Sequence, residues 1–445
     1  ESPNDQGLSR RRFLATAAGA AAAGAATWAI TGPGVAGGAV TDGRRDDRRG
    51  PRDGRRDRRN GPDDVDAAVA TAWFDLARKL VRTTLGFTPP VASRAFACTG
   101  LALYEAVVPG SRRYQSLQRV MPGLRVPSPD DDRLDWPAVA NAALASMMRL
   151  LFPTTSVNNR AAIDALEASF TGSSGDASAY GRAVADSVFA FARTDGGHEG
   201  YLRNFPADYI PPAGPGLWVP TPSAFQTALQ PTWGRNRCFA IESGADCPAG
   251  PPTRYSEDPG SDFYAEAMEV YRAVNERTPE QETIAQFWAD DPGVTATPPG
   301  HSVSIATQVL QREGASLMLA AETYAKVGMA VGDAFIACWD AKYRYSLLRP
   351  VTYIQAVVDP GWTPLLVTPP FPEHTSGHSV QSGAAFHVLT DLFGRRYRFE
   401  DHTHDDRGLT PRRFGSFREA AEEAALSRLY GGIHFRPAIE LGLEQ

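Results

Sequence analysis

A chain of 445 residues, 42% of them hydrophobic, carries enough apolar material for one large buried core or two smaller ones. Its formal net charge of −6 argues against a nucleic-acid binder, which would carry a net basic domain. The most apolar run, Ala15 to Ile30, is short, alanine-rich and interrupted by glycines, so no stable membrane insertion is expected.

In chain order, Ser9-Arg10-Arg11-Arg12-Phe13-Leu14 precedes that run and resembles the twin-arginine export signal. A basic stretch, a weakly apolar segment and the small residues Gly34 to Ala39 are the parts of a cleavable leader. Residues 1–40 therefore read as a signal segment, and the protein as exported and working outside the cytoplasm. From Thr41 to about Asp64, nine arginines are nearly matched by seven aspartates with almost nothing apolar. Such a stretch cannot repay the entropy of ordering, so 41–64 reads as a disordered tether.

From residue 65 to 445 helical periodicity dominates. Apolar residues recur at three- and four-residue spacing over 66–84, 90–107, 136–152 and 158–170. Between about Gly196 and Gly260 the pattern lapses into Pro, Gly and aromatic residues, a long irregular excursion expected to wrap the core. Helical patterns return over 262–276, 279–290, 302–314 and 316–348. No alternating strand run of useful length is present, so the fold class is mainly α, a helical bundle. Cys238 and Cys247 flank a short turn-rich segment that a disulfide could close. Cys98 and Cys338 fall in apolar helical stretches and read as buried thiols, and no CxxC pair suggests zinc.

The last third carries the chemistry. Lys342 and Arg349 are seven residues apart, which on a straight helix separates them by roughly 20°. Both are expected on one face, with Pro350 stopping the helix just beyond. Next, "PPFPEHTSGHSVQSGAAFHVLTDLF" leads through prolines into a helix starting near His378. The unpaired N–H groups at such a start, with the Ser376 hydroxyl and the open Gly377, form an anion cradle beside His378. In "ALSRLYGGIHFRP", a Gly431-Gly432 turn is needed to bring Arg428, near a helix end, back toward His434. Two weaker candidates remain. "DHTHDD", Asp401 to Asp406, could bind a metal but reads better as an exposed acidic loop. His301 could line the entrance to the site or cap a helix.

Lys-x6-Arg-Pro, Ser-Gly-His and Ser-Arg-x5-His, in this order over about 90 residues, resemble the vanadium-dependent haloperoxidase and type-2 phosphatidic acid phosphatase superfamily. Upstream stretches such as "VASRAFACTGLALYEAV" and "FWADDPGVTATPPGH" are similar to its bacterial members. The resemblance implies a helical haloperoxidase-like fold with vanadate as cofactor and phosphate as alternative occupant. It implies that Lys342, Arg349 and Arg428 neutralise the equatorial oxygens, and that Ser376 and the Gly377 amide add hydrogen bonds. His434 would be the axial ligand of vanadium, and His378, with Lys342, would serve the acid–base chemistry. Trp339 and Phe371 resemble the aromatic residues on the halide side of chloride-oxidising members. Asp291, with Asp290 as a competitor, resembles the acidic residue that holds the cations in place.

Two departures stand out. Thr375 occupies the place of a frequent proline. Ala438 occupies that of the aspartate four residues beyond the axial histidine, leaving Glu440 or a backbone carbonyl to orient the ring. The chain also runs only eleven residues past His434, so a closing helix is expected to be missing. The resemblance implies a haloperoxidase taking hydrogen peroxide, halide and a small organic acceptor. An acid phosphatase with a phosphohistidine intermediate and a non-catalytic oxyanion binder are the alternatives.

Overall fold

The computed structural model describes residues 61–130, 134–170 and 175–445. The expected signal segment and nearly all of the tether lie outside the described residues. The described residues form thirteen α-helices: α1 (Ala68–Thr83), α2 (Pro89–Val107), α3 (Trp136–Leu151), α4 (Val157–Ser169), α5 (Gly175–Ala192), α6 (Asp262–Asn275), α7 (Pro279–Phe287), α8 (Thr297–Arg312), α9 (Leu317–Tyr345), α10 (Pro350–Val357), α11 (Gly377–Phe393), α12 (Phe417–Tyr430) and α13 (Arg436–Glu444). A two-stranded antiparallel hairpin, β1 (Phe399–Asp401) and β2 (Arg412–Phe414), sits between α11 and α12, with Phe399 opposite Phe414. The expected mainly α class is the observed one. Helices α5, α10 and α13 have no counterpart in the periodicity reading. In α5 the run is dominated by Ala, Gly and Ser, whose small side chains blur the apolar stripe.

Side-chain caps set many of the helix starts. Asp135, Ser156, Ser261, Ser316 and Ser376 each accept a first-turn N–H, and Thr278 with Gln281 forms a full capping box at α7. Helix α9, 29 residues long and buried along nearly all of its length, is the axis of the molecule. It packs along α2 and α11, and two glycines let the α2 backbone approach. A Cβ at Gly100 would lie 2.5 Å from the Tyr324 carbonyl oxygen, and one at Gly328 would lie 2.9 Å from Ala97 Cα. Helix α2 with its 3-10 extension, Pro89–Gly110, is long and apolar enough to cross a membrane, yet its apolar window is wholly buried inside the protein.

The irregular excursion does wrap the core. Between α5 and α6 the chain holds only short 3-10 turns and no α-helix. The Asp333 carboxylate on α9 anchors it by accepting the N–H groups of Phe239, Ala240 and Ile241. Leu229, Trp233 and Phe239 enter the main core. Cys238 and Cys247 are not joined by a disulfide, while Cys98 and Cys338 are buried.

One local expectation is overturned. Lys342 and Arg349 do not share a helix. Ser346, in the left-handed region at φ 46°, ends α9, and Arg349 is the extended N-cap residue of α10. Pro350 stands at the first position of α10, so it starts a helix rather than stopping one. Its fixed φ and missing N–H suit that position, and spacing alone cannot distinguish the two uses.

Candidate oxyanion site

The end of α9, the Pro-rich run before α11 and the turn after α12 meet at one place. Lys342, Arg349, Arg428 and His434 are all buried there. Arg349 reaches across the turn that ends α9. Its Nε donates to the Phe371 carbonyl at 2.8 Å and its Nη1 donates to the Ile433 carbonyl at 2.8 Å. The same Nη1 lies 3.1 Å from His434 Nε2. A guanidinium can only donate, so His434 Nε2 carries a lone pair and Nδ1 carries the proton. The Gly431-Gly432 turn, with Gly432 at φ +76°, folds His434 back beside the end of α12.

Arg428 donates to Ser427 Oγ and to the Ala285 carbonyl. Lys342 donates to the carbonyls of Pro372, Glu373 and Thr375 and thereby clamps the Pro-rich run. None of these partners is a carboxylate. Arg349 Nη2 is buried with no hydrogen-bond partner among the described residues. Burial pushes the Lys342 ammonium down to about 7 and the Arg349 and Arg428 guanidinium groups down to about 10. An unmatched buried cation is costly, and a bound anion would offset that cost.

The start of α11 supplies the rest of the cradle. Ser376 Oγ accepts the Ser379 N–H, which places Gly377 and His378 in the first turn, where N–H groups have no intrahelical acceptor. A Cβ at Gly377 would meet only the Trp339 ring, at 3.9 Å, so the missing side chain leaves open space rather than relieving a clash. His378 Nε2 donates to the Trp288 carbonyl at 2.9 Å, which leaves Nδ1 with a lone pair. Burial first, then Arg428, holds the His378 imidazole well below its usual range. Burial, followed by Arg349, Lys342 and Arg428, does the same to His434.

Sequence reasoning missed Glu373. Its Oε1 accepts from His434 Nδ1 at 2.7 Å and from the Phe435 N–H at 2.9 Å, inside a site from which solvent is excluded. Burial pushes this carboxyl up to about 7, against the opposing pull of Arg349 and Lys342. Neither substitute expected for the missing aspartate takes that position. Glu440 pairs loosely with Arg436 at 3.8 Å on the surface, and the Ala438 carbonyl accepts the Ser376 N–H. The available signal was a lone glutamate inside an apolar, proline-rich run.

A cavity of about 410 Å³ opens onto Gly377, His378, Arg428 and His434. Trp339, Phe371, Phe335, Leu229 and Phe205 line its apolar side. Phe371 lies against Trp339, with ring centres 4.9 Å apart, and beneath both Lys342 Nζ and Arg349 at about 5 Å. Lys342 and Arg349 themselves stand behind this lining. Asp290 and Asp291 both border the cavity near Arg428, but neither pairs with Arg428 or Lys342 among the described residues. Asp291 is exposed and Asp290 buried.

Asp290 points into a second cluster. His301 is neither a cap nor an entrance residue: it lies within α8, with Nδ1 2.8 Å from Asp290 Oδ2 and Nε2 2.7 Å from Asp401 Oδ2. His404 Nε2 is 3.4 Å from Asp290 Oδ1. The "DHTHDD" stretch is thus not a wholly exposed loop. Asp401 and His404 turn inward, while His402, Asp405 and Asp406 face solvent. Trp288 stacks on His301, with ring centres 4.5 Å apart, and offers its carbonyl to His378, so this cluster buttresses the cradle.

Fold and site together define a helical-bundle protein with a buried, cation-rich oxyanion cradle and an apolar antechamber. Comparison with known proteins narrows this class. Residues 322–445 match the family model of the VCPO second helical-bundle domain. The crystal structure of a bacterial vanadium-dependent iodoperoxidase is 36% identical in sequence, with a TM-score of 0.78, covering 85% of this chain and 94% of that one. On that likeness the chain belongs to the vanadium-dependent haloperoxidase family. The holo form of a bacterial vanadium-dependent chloroperoxidase shares the fold at 16% identity, with a TM-score of 0.62 over 86% of this chain and 90% of that one. The vanadium chloroperoxidase of Curvularia inaequalis is 24% identical over 69% of this chain, which spans 62% of that protein's length.

Vanadate fits the residues present. The partnerless Arg349 Nη2, the His434 Nε2 lone pair, the first-turn N–H groups of α11 and the open space at Gly377 are the donors, ligand atom and room that a tetrahedral oxyanion requires.

Proposed function

We propose that this protein is a vanadate-dependent haloperoxidase that uses hydrogen peroxide to oxidise halide, giving hypohalous acid or a halogenated organic acceptor. The observation that carries the reading is the surplus of buried cationic groups, one of them with an unused N–H, around a histidine whose unprotonated Nε2 meets only an arginine N–H. Arg349, Arg428, Ser376 and the Gly377 amide would hold vanadate, with His434 Nε2 as its protein ligand. When bound, vanadate supplies a Lewis-acidic centre that activates peroxide without a change of oxidation state. His378 is neutral, and its Nδ1 lone pair lets it take up and return a proton at the cavity floor. Lys342 adds positive charge from behind the Pro-rich run, and Asp291 tempers the field of Arg428 at the mouth. Trp339 and Phe371 present an apolar wall that excludes water from the halide and acceptor side.

The test is halogenation of a chromogenic acceptor with iodide, bromide and chloride in turn. Iodide comes first because the 36%-identical relative is an iodoperoxidase. Activity that needs both peroxide and added orthovanadate, and that disappears in His434→Ala, is expected. Hydrolysis of an aryl phosphate with no such halogenation would overturn the reading in favour of an acid phosphatase. We further propose twin-arginine export, on the motif Ser9 to Leu14. Replacing Arg10, Arg11 and Arg12 with lysine should retain the protein inside the cell, and undiminished export would refute that route.

A further inference from the structure

We infer that Glu373 is the positioning residue for His434: its carboxylate fixes the imidazole with the proton on Nδ1 and the Nε2 lone pair turned to the oxyanion cradle. The inference rests on the reading above for what that lone pair binds, but not for the orientation itself. One carboxylate oxygen accepts from both His434 Nδ1, at 2.7 Å, and the adjacent Phe435 N–H, at 2.9 Å. That pair of bonds sets the ring's plane and its place along the chain together. Glu373 cannot easily turn away, because Lys342 binds its backbone carbonyl together with those of Pro372 and Thr375. On the opposite edge of the ring, Arg349 Nη1 can only donate, which requires the same tautomer. Among the described residues no other carboxylate takes this part. Position 438 is an alanine, and Glu440 is on the surface with Arg436. A carboxylate behind a ligating histidine fixes its tautomer and raises its basicity, and removing such a partner typically weakens metal binding roughly 10- to 100-fold.

The experiment compares the parent with Glu373→Gln and Glu373→Ala, each checked for folding by thermal melting. In an Arg349→Met background, which removes the donor on the opposite ring edge, ligand-free ¹⁵N spectra of the His434 ring should show a proton fixed on Nδ1 with Glu373 present and a mixed tautomer in Glu373→Ala. With inorganic vanadate as probe, equilibrium dialysis should show Glu373→Ala weaker by roughly 10- to 100-fold. Glu373→Gln keeps an acceptor oxygen but loses the charge, and should fall between the two. An unchanged tautomer on Glu373→Ala in the Arg349→Met background, or vanadate binding equal to the parent in a folded Glu373→Ala, overturns the inference. If Glu373→Ala does not fold, Glu373→Gln decides, and parent-like binding by it overturns the inference. A parent chain that does not bind vanadate would refute the functional reading above, while the ligand-free spectra still decide the role of Glu373.

Discussion

Two buried histidine clusters stand side by side in this molecule and are built on opposite principles. Around His301 the carboxylates are in excess. Asp290 and Asp401 take both ring nitrogens, and with burial opposing them they still raise the imidazole to about 10. Around His434 and His378 the cations are in excess, both rings are held well below their usual range, and an arginine N–H is left over. In the first cluster both ring nitrogens of His301 are taken by carboxylates, while Asp290 Oδ1 and His404 Nε2, 3.4 Å apart, form no hydrogen bond. The second keeps a buried arginine N–H without an acceptor among the described residues, which a guest of opposite charge would complete. The difference teaches where to look for an anion site: at buried cationic donors left without acceptors, rather than at the densest network.

The comparison can be broken or sharpened experimentally. The largest effect is expected from His434→Ala, which should remove all measurable vanadate-dependent halogenation in a steady-state assay. Arg349→Met should lower kcat by roughly 10²–10³-fold, as loss of one charge-stabilising donor does. Its thermal melt in the absence of vanadate should nevertheless stay nearly level, because removing a buried charge that no carboxylate bonds offsets the two hydrogen bonds lost to the Phe371 and Ile433 carbonyls. A falling melting temperature would show that Arg349 is a structural ion after all. Asp401→Asn should do the reverse. It leaves the imidazolium with Asp290 as its one charged hydrogen-bond partner and should cost about 1–3 kcal/mol in denaturant unfolding.

The pH dependence separates the clusters further. The folded-state pKa of His301 is raised, so its contribution to stability is complete below the unfolded value near 6.5 and is lost as pH rises through about 10. Melting temperature should therefore fall across that window, and His301→Gln should flatten the fall. A parent whose melting temperature does not change over the window would contradict the charged assignment. The smallest effect is expected from Gly377→Ala. Its Cβ fills space at the cradle without striking the backbone, so vanadate should bind several-fold more weakly while stability changes by less than about 1 kcal/mol. Equal vanadate affinity would show that the guest sits elsewhere.

Much of this molecule was readable from the chain alone. Three-and-four spacing gave most of the helices, because an amphipathic stripe is a local property. The Ser-Gly-His and Ser-Arg-x5-His stretches marked the start of α11 and the turn after α12, since capping and glycine turns are also local. Three matters were decided only by tertiary structure. Spacing placed Lys342 and Arg349 on one helix, but Ser346 ends that helix and the two cations meet through the fold of the turn. The clamp of Lys342 on three carbonyls and the bond from His434 to Glu373 join residues 30 or more positions apart, and no periodicity encodes such distances. Asp401 and His404 look like an exposed acidic loop in the sequence, yet a short hairpin turns them inward against Asp290 and His301. The sequence thus determined which groups were available and which local shapes would present them. Which charge faces which, and which donor is left without a partner, depends on distances through space that only the packed chain sets.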